Sequence, residues 1–545
     1  MSDDADSLIK AQATLATKRS NFENWWQQIA LRVMPAEAQF TVVTDEGQRR
    51  SERVFSGKAV IANERFAAVL DELLTPRSQF WHSLAPEDED LADSQETKIY
   101  LERLNKLLFT TRYRPRANFA SQKHQGYMSV GAFGNSAMYI DEKVGEGIRY
   151  RNTPLRELFW AENHQGQIDT LYRRFDLQAR QAAQRAKEEG WQLPAKIAQA
   201  ATDKPFDTFE FLHCVHPNAE RAYGKAGAKG MPWSSHYIAL QDRQIVSVGG
   251  YNSWPYAIGR YVIAANETYG RGPAAGCWGA ILTLNEEKKT ILRAGQKEVD
   301  PPLLLGEDGA LEPFNTRPGA LNHGMMSEDG TRLVEVLHTG ANIPLGLELM
   351  TLENDEIDDA FLVKIFQILA EHPQMTATQV LEIAQQKATL LAPMMGRQQS
   401  EDLGPLIERE IDLLARDSRY PWISQDMPDE LREAGGRFKI EYRSPLARAM
   451  RAQDGVAIQR TLEVLPEALQ VDPNCAFVID VPGSLRELAE INGVPAKLVR
   501  DVKMVAQLSA QKQQADQLAQ VAAAAPGMST AALNAAKAEQ LRAGA

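Results

Sequence analysis

Several features that commonly announce an activity are scarce or missing in this sequence. Its 545 residues include only three cysteines, Cys214, Cys277 and Cys475, far apart along the chain. That usage predicts reduced thiols and excludes a disulfide framework. No apolar run approaches the roughly 18 residues a membrane span requires. The opening MSDDADSLIKAQATLATKRSNFENWW is polar and acidic, without the apolar centre of a signal peptide. Neither export by that route nor membrane insertion is therefore expected. A basic excess is also lacking. The formal charge of −12 argues against tight gripping of phosphates, yet permits a surface past which nucleic acid slides.

Nucleotide and metal signatures are missing too. A P-loop needs Gly-x4-Gly-Lys-Ser/Thr, because backbone amides cradle phosphates while the lysine and hydroxyl hold phosphate and metal. YGRGPAAGCWGAILTLN (269–285) has four glycines and a following helical run, but no such lysine and hydroxyl. GAFGNSAMY (131–139) and AYGKAGAKGMPW (222–233) fail in the same way. FLHCVHP places His213, Cys214 and His216 close together on a strand, but His213 and His216 point to opposite faces and no second ligand pair is in sight. Ser136 lies in GNSAM, where Met138 replaces the second glycine of a nucleophile elbow. No catalytic, cofactor-binding or metal-binding residues are assigned, and no cofactor is expected.

What is present is an ordinary globular composition, 44% apolar and 24% charged, at a length that usually divides into roughly three or four domains. Helical spacing runs through FENWWQQIALRVMP up to Pro35, through GKAVIANERFAAVLDELLTP up to Pro76, and over 94–110 and 118–135. From 137 to 262 the pattern turns to short strands: AMYIDE, IRYRNTP, DTLYRRFDL, FEFLHCVHP, SSHYIAL, RQIVSVGGY and YVIA. The helix LQARQAAQRAKEEG interrupts them and ends on Gly190. Beyond 270 the chain is mainly helical. A helix is predicted from Ala274 to Lys297, then a Pro/Gly-rich excursion, then a helix from Asn354 to Glu371 with an apolar stripe of Ile357, Phe361, Ile365, Ile368 and Leu369. A third starts at TATQ, where Thr376 and Gln379 have capping-box spacing, and runs to Arg416, kinked or broken into pieces at Pro393 and Pro405. A strand is expected in GRFKIEYRSP, and further helix over 446–469 and 484–520. The Ala-rich end, 521–545, reads as a flexible tail.

ENDEIDD gathers Glu353, Asp355, Glu356, Asp358 and Asp359. At the start of a helix such carboxylates complement the dipole by roughly 0.3–1 kcal/mol each, which accounts for Asp355 and Glu356 and less well for Asp358 and Asp359. A run this dense also repels itself unless it faces water, and the water of a channel would serve.

ETYGRGPAAGCWGAILTLNEEKKTILRAGQKEVDPPLLL resembles the portal, or head-to-tail connector, proteins of short-tailed T7-like bacteriophages. The matching residues are Tyr269, Gly270, Pro273, Leu284, Asn285, Gln296, Lys297, Val299, Asp300, Pro301, Pro302, Leu303 and Leu304. RSNFENWWQQIALRVMP, LTPRSQFWHSL, RPGALN, MTATQVLE and GRQQSEDLGPLIERE are similar to further blocks of that family, in order from about 20 to 500. Gly272 departs from it, standing where members often carry serine.

The resemblance implies an α+β, mainly helical portal fold assembled as a dodecameric ring. It implies a wing (1–270), a first stem helix (271–298), a clip (299–345), a second stem helix (346–371), a tunnel loop with a long kinked wing helix (372–450) and crown helices (451–520). By the same analogy Glu371, His372, Pro373, Gln374 and Met375 form the tunnel loop. Asp300, Pro301, Pro302, Glu307 and Asp308 belong to the clip. Implied partners are further copies of the chain, double-stranded DNA in the channel, terminase, a tail adaptor, scaffolding protein and major capsid protein. The implied place is the virion, after assembly in the host cytoplasm, and ATP hydrolysis would belong to the terminase. The other reading is a nucleic-acid-processing enzyme with an unrecognised active site. In the portal reading the glycine-rich stretch is the hinge where wing becomes stem, a tight turn from sheet into helix, with Gly276 and Gly279 allowing close helix approach.

Overall fold

The computed structural model describes residues 4–363 apart from 49, 51–53, 89–90, 92–93, 144–145, 306–314, 316, 324, 328, 338–339 and 341. It also describes 394–443, 455–466, 478–492, 494, 498–500, and 504–515 without 506 and 514. The chain is α+β. In order come α1 (Ala5–Val33), α2 (Lys58–Leu74), β1 (His82–Pro86), α3 (Gln95–Arg112) and α4 (Phe119–Phe133). The strand region follows: β2 (Asn135–Lys143), β3 (Gly147–Asn152), β4 (Leu158–Glu162), β5 (Ile168–Gln178), α5 (Ala179–Glu189), α6 (Ala195–Asp203), β6 (Thr208–Pro217), β7 (Trp233–Ala239), β8 (Gln244–Tyr251) and β9 (Tyr256–Arg260). Then come α7 (Pro273–Gly276), α8 (Trp278–Val299), β10 (Leu303–Leu305), β11 (Val334–Val336), α9 (Ile343–Ala360) and α10 (Gly404–Arg416). The C-terminal part carries α11 (Trp422–Gln425), α12 (Asp429–Glu433), β12 (Phe438–Tyr442) and α13 (Val481–Ile491). Among the described residues no helix is long and apolar enough to cross a membrane.

Two compact units divide the chain. The larger takes residues 1–77 and 111–413, the smaller 78–110 and 414–545. The larger unit is built on a five-stranded antiparallel sheet in the order β4-β5-β6-β7-β8. Alternation along its strands sorts apolar residues to two faces. Phe211 and Ala239 pack with Phe175, Trp191 and Ile197 under α5 and α6. Their neighbours Leu212 and Ile238 turn the other way, onto Leu8 of α1 with Phe159 and Tyr172. Gln178 and Gln181 cap the start of α5 reciprocally, and Gly190 ends it in the left-handed conformation (φ 74°). A second sheet, β3-β2-β9, lies in the same unit. In the smaller unit β1 pairs antiparallel with β12, and Tyr100 of α3 donates a hydrogen bond to the Ile423 carbonyl (2.6 Å).

Some sequence-based boundaries shift. YVIA contributes one isolated bridge, Val262 to Arg271, and the strand lies just before it at 256–260. β4 and α6 carried no clear sequence signal. The first helix after 270 is interrupted at Cys277 into α7 and α8. The largest change is α9, which begins eleven residues earlier than Asn354 and ends at Ala360. At Pro405 the helix is not broken: a π-helical segment, Gln398–Leu403, runs directly into α10. The extra residue of such a turn suits a proline, which cannot donate to the preceding turn. The predicted starts and stops at 364–393, 446–450, 467–469 and 516–520 lie outside the described residues.

Candidate functional site

The segment Tyr269–Gly272 crosses the turn from α4 into β2, and the crossing is close enough to require glycine on both sides. Gly134 caps α4 at φ 74°. A Cβ on it would sit 2.4 Å from the Arg271 carbonyl carbon and the Gly272 nitrogen. In return, a Cβ on Gly270 would lie 2.5 Å from the Gly134 oxygen, and one on Gly272 2.5 Å from the Val130 oxygen. Asn135 fastens the crossing. Its Oδ1 accepts from the Gly270 amide (2.7 Å), and its Nδ2 donates to the Gly270 carbonyl (2.9 Å). Tyr269 is buried against Phe22, Trp26 and Trp160, with ring centroids 4.5–5.5 Å apart. These glycines therefore pack backbone on backbone along an extended segment, where a tight turn is expected from the sequence. Gly276 and Gly279 differ, since among the described residues no atom outside their own helix backbone and chain neighbours lies within 4 Å of a Cβ on either. The close approach expected of them is not made among these residues.

From this crossing Pro273 opens α7, and α8 leaves the scaffold. Asn285 fixes the root of α8, its Oδ1 accepting from the Phe55 amide (2.8 Å). α9 returns antiparallel along α8. A Cβ on Gly346 would lie 2.8 Å from Ile291, and Glu353 acts on Glu287. At the root, burial and then Glu356 push the Cys277 thiol up to about 12. Phe361, almost wholly buried, meets Phe66 of α2 edge-on (centroids 6.1 Å). Beyond α8, β10 and β11 pair antiparallel. Asp300 and Pro302 are exposed and Pro301 half-buried between α8 and β10, with the Pro302 carbonyl accepting from Leu337 N (2.9 Å). Glu307 and Asp308 lie outside the described residues, as do Glu371, His372, Pro373, Gln374 and Met375.

The acidic run sits at the end of α9 rather than at a helix start. In the last turn, which holds Asp358 and Asp359 and no basic residue, the dipole disfavours carboxylates by about 0.3–1 kcal/mol each. Helix stabilisation therefore does not explain the run. Asp355, Glu356 and Asp359 are exposed and Glu353 is half-buried. Asp358 alone turns inward: its Oδ2 lies 2.5 Å from Lys58 Nζ at the start of α2, and it is 9% exposed. It anchors the helix end to α2. On the same helix, Leu345, Leu349 and Leu352 are 51%, 44% and 63% exposed, a large apolar surface with no cover among the described residues.

The scaffold behind this helix pair is held by ion pairs that sequence reading missed. Arg112 and Glu410 are 0% and 1% exposed, and Arg112 donates to both carboxylate oxygens (2.9 and 2.5 Å). Tyr150 donates to the same carboxylate (2.5 Å). Lys123 pairs with Asp402, and Arg260 with Glu162 and Glu401, each cation nearly fully buried. Gln398 donates to the Arg260 carbonyl (3.0 Å). The π-helical turn thus aims Gln398, Glu401 and Asp402 together at α4 and β9. GRQQSEDLGPLIERE was matched as a family block, but charged residues in a sequence read as surface, so their burial stayed hidden.

FLHCVHP proves to be sheet interior. His213 stacks on Tyr237 (centroids 4.1 Å, 2° between planes) and bonds Ser235 Oγ (3.0 Å) and Tyr256 OH (3.2 Å). Burial, reinforced by Arg173 and Arg185, holds its imidazole well below the usual histidine range. Its role is packing, and no group of three or more metal-capable side chains occurs among the described residues.

These observations define a structural class, an ion-paired α+β scaffold that carries an antiparallel helix pair joined through a small β tip. The chain belongs to the family of bacteriophage head to tail connecting proteins, whose pattern spans residues 5–499. It is 24% identical over 540 residues to the portal protein of Salmonella phage epsilon15, covering 95% of this chain and 94% of that protein. It is also 24% identical over 527 residues to the probable portal protein of Bordetella phage BPP-1, covering 95% and 92%. That membership agrees with the likeness read from the sequence.

Proposed function

We propose that the chain is the portal of a phage head. It closes into a ring, a dodecamer by analogy, at one capsid vertex and passes double-stranded DNA during packaging and ejection. In this reading α8 and α9 are the stem, 299–345 the clip that docks terminase and later a tail adaptor, and residues 1–270 the wing. The wing would face scaffolding and major capsid protein in the growing head. The chain works mechanically, and ATP is hydrolysed by the terminase.

One observation carries the proposal. Exposed carboxylates crowd the last two turns of α9, beside leucines left bare among the described residues. In a ring, neighbouring copies cover the leucines, and Asp355, Glu356 and Asp359 line the hole, while the half-buried Glu353 stays beside Glu287. Moving DNA needs shallow binding. A lining of like charge repels the phosphate backbone and keeps counterion-releasing contacts few. Asp358 takes no part in that lining, because it is committed to Lys58.

The test is charge reversal of Asp355, Glu356 and Asp359 to lysine, with Asp358 left intact. Rings should form normally, while DNA-filled heads become scarce because phosphates now stick in the channel. Wild-type numbers of filled heads from the triple variant would remove these residues from the channel wall.

A further inference from the structure

An open groove of about 600 Å³ runs along the α8–α9 pair. Its apolar floor is Leu282, Ile291 and Leu349, and Glu286 and Glu287 stand on its α8 side. Gly346 makes the groove possible, since any side chain there would strike Ile291. Glu286 is already paired within the chain, with Lys289 (2.7 Å). Glu287 is not. Its Oε2 is shielded from water and has no hydrogen-bond partner among the described residues. Burial and then the nearby Glu353 push its carboxyl above the ordinary range, as expected of a carboxylate that lacks a cation.

The matching groups lie elsewhere on the same helix. Lys288 and Leu292 are four residues apart and so share one stripe of α8. Lys288 forms no ion pair among the described residues, and Leu292 is 51% exposed. At about 100° per residue, Leu292 points about 140° away from Glu287 around the helix. A ring demands this arrangement. Each copy meets one neighbour with one side and the other neighbour with nearly the opposite side, and such head-to-tail contacts close under rotation. Rotation about the ring axis also preserves height. Where the stem helix runs along that axis, Glu287 of one copy stands level with Lys288 of the next, and Ile291 level with Leu292.

We propose that the groove is the socket between copies: Leu292 of the adjacent chain fills its floor, and Lys288 of that chain pairs with Glu287. The contact rests on the ring reading above and specifies which side chains close the ring.

Charge exchange in the full-length protein tests it, with assembly read by sedimentation and negative-stain microscopy. Glu287→Lys alone and Lys288→Glu alone should each deplete rings, and the double variant should restore them, since every contact is again opposite in sign. Two cysteines, Glu287→Cys with Lys288→Cys, give a second measurement. Adjacent helix positions cannot bridge within one chain, so mild oxidation should yield a ladder of cross-linked copies that the wild type lacks. Wild-type rings unaffected by either single exchange, together with no ladder, would overturn the socket and leave the ring reading standing. A wild-type chain that stays monomeric would overturn both.

Discussion

Replacing Glu410 by glutamine should destabilise the larger unit by about 3–5 kcal/mol, the usual cost of stranding a buried charge. Arg112 is fully buried, and its Nε and Nη2 both donate to this carboxylate. A neutral amide withdraws the charge that faces it. Tyr150 loses its charged acceptor at the same time. The variant should show a lower midpoint in urea with an unchanged slope, the sign of lost stability without a changed unfolded state. Removing the whole set is predicted to be far milder. Arg112→Met, Tyr150→Phe and Glu410→Leu together remove the buried charges along with the hydroxyl that bonds them, and apolar substitution of a buried ionic cluster is often neutral. If the single and triple variants lose the same stability, the pair is not the fastening described here.

The second large effect belongs to Gly134. Alanine there adopts a left-handed backbone at about 1–2 kcal/mol, and its Cβ drives into the main chain of 271–272, which overpacking cost raises by about 1–3 kcal/mol more. Because the obstructing atoms are backbone, no rotamer change relieves them. The helix pair is rooted at this crossing, so the damage should reach α8. Gly276→Ala and Gly279→Ala are the controls: their Cβ atoms meet open space, and the chain's own stability should hold or rise slightly. Equal losses at Gly134 and Gly276 by thermal unfolding would contradict the crossing.

The particular elements show what could be read beforehand. α1, α2 and α4 bury one face in their own chain, so their apolar spacing located them well. α9 does so mainly near its end, at Ile357. Its Leu345, Leu349 and Leu352 are exposed, so apolar spacing over its first turns did not mark a core. The start signals were nonetheless present: Asn342 caps the helix by accepting from Leu345 N (3.2 Å), and Pro344 occupies its first turn. In a Pro/Gly-rich stretch they resembled a loop. Its end carried no signal at all, because Leu362, not glycine or asparagine, takes the left-handed conformation (φ 59°) that terminates it. The acidic run was visible from composition alone, but its meaning reversed once the helix direction was known. Arg112, Lys123, Asp402 and Glu410 were illegible for a different reason. Burial of charge depends on partners as many as 298 residues away, which local patterns do not encode.

Electron microscopy of the purified full-length protein, at a resolution that traces helices, tests the ring most directly. Closed rings with a central hole are expected, with α9 presenting Asp355, Glu356 and Asp359 to that hole. A chain that remains monomeric under assembly conditions would contradict this arrangement, as would rings in which that face of α9 points outward.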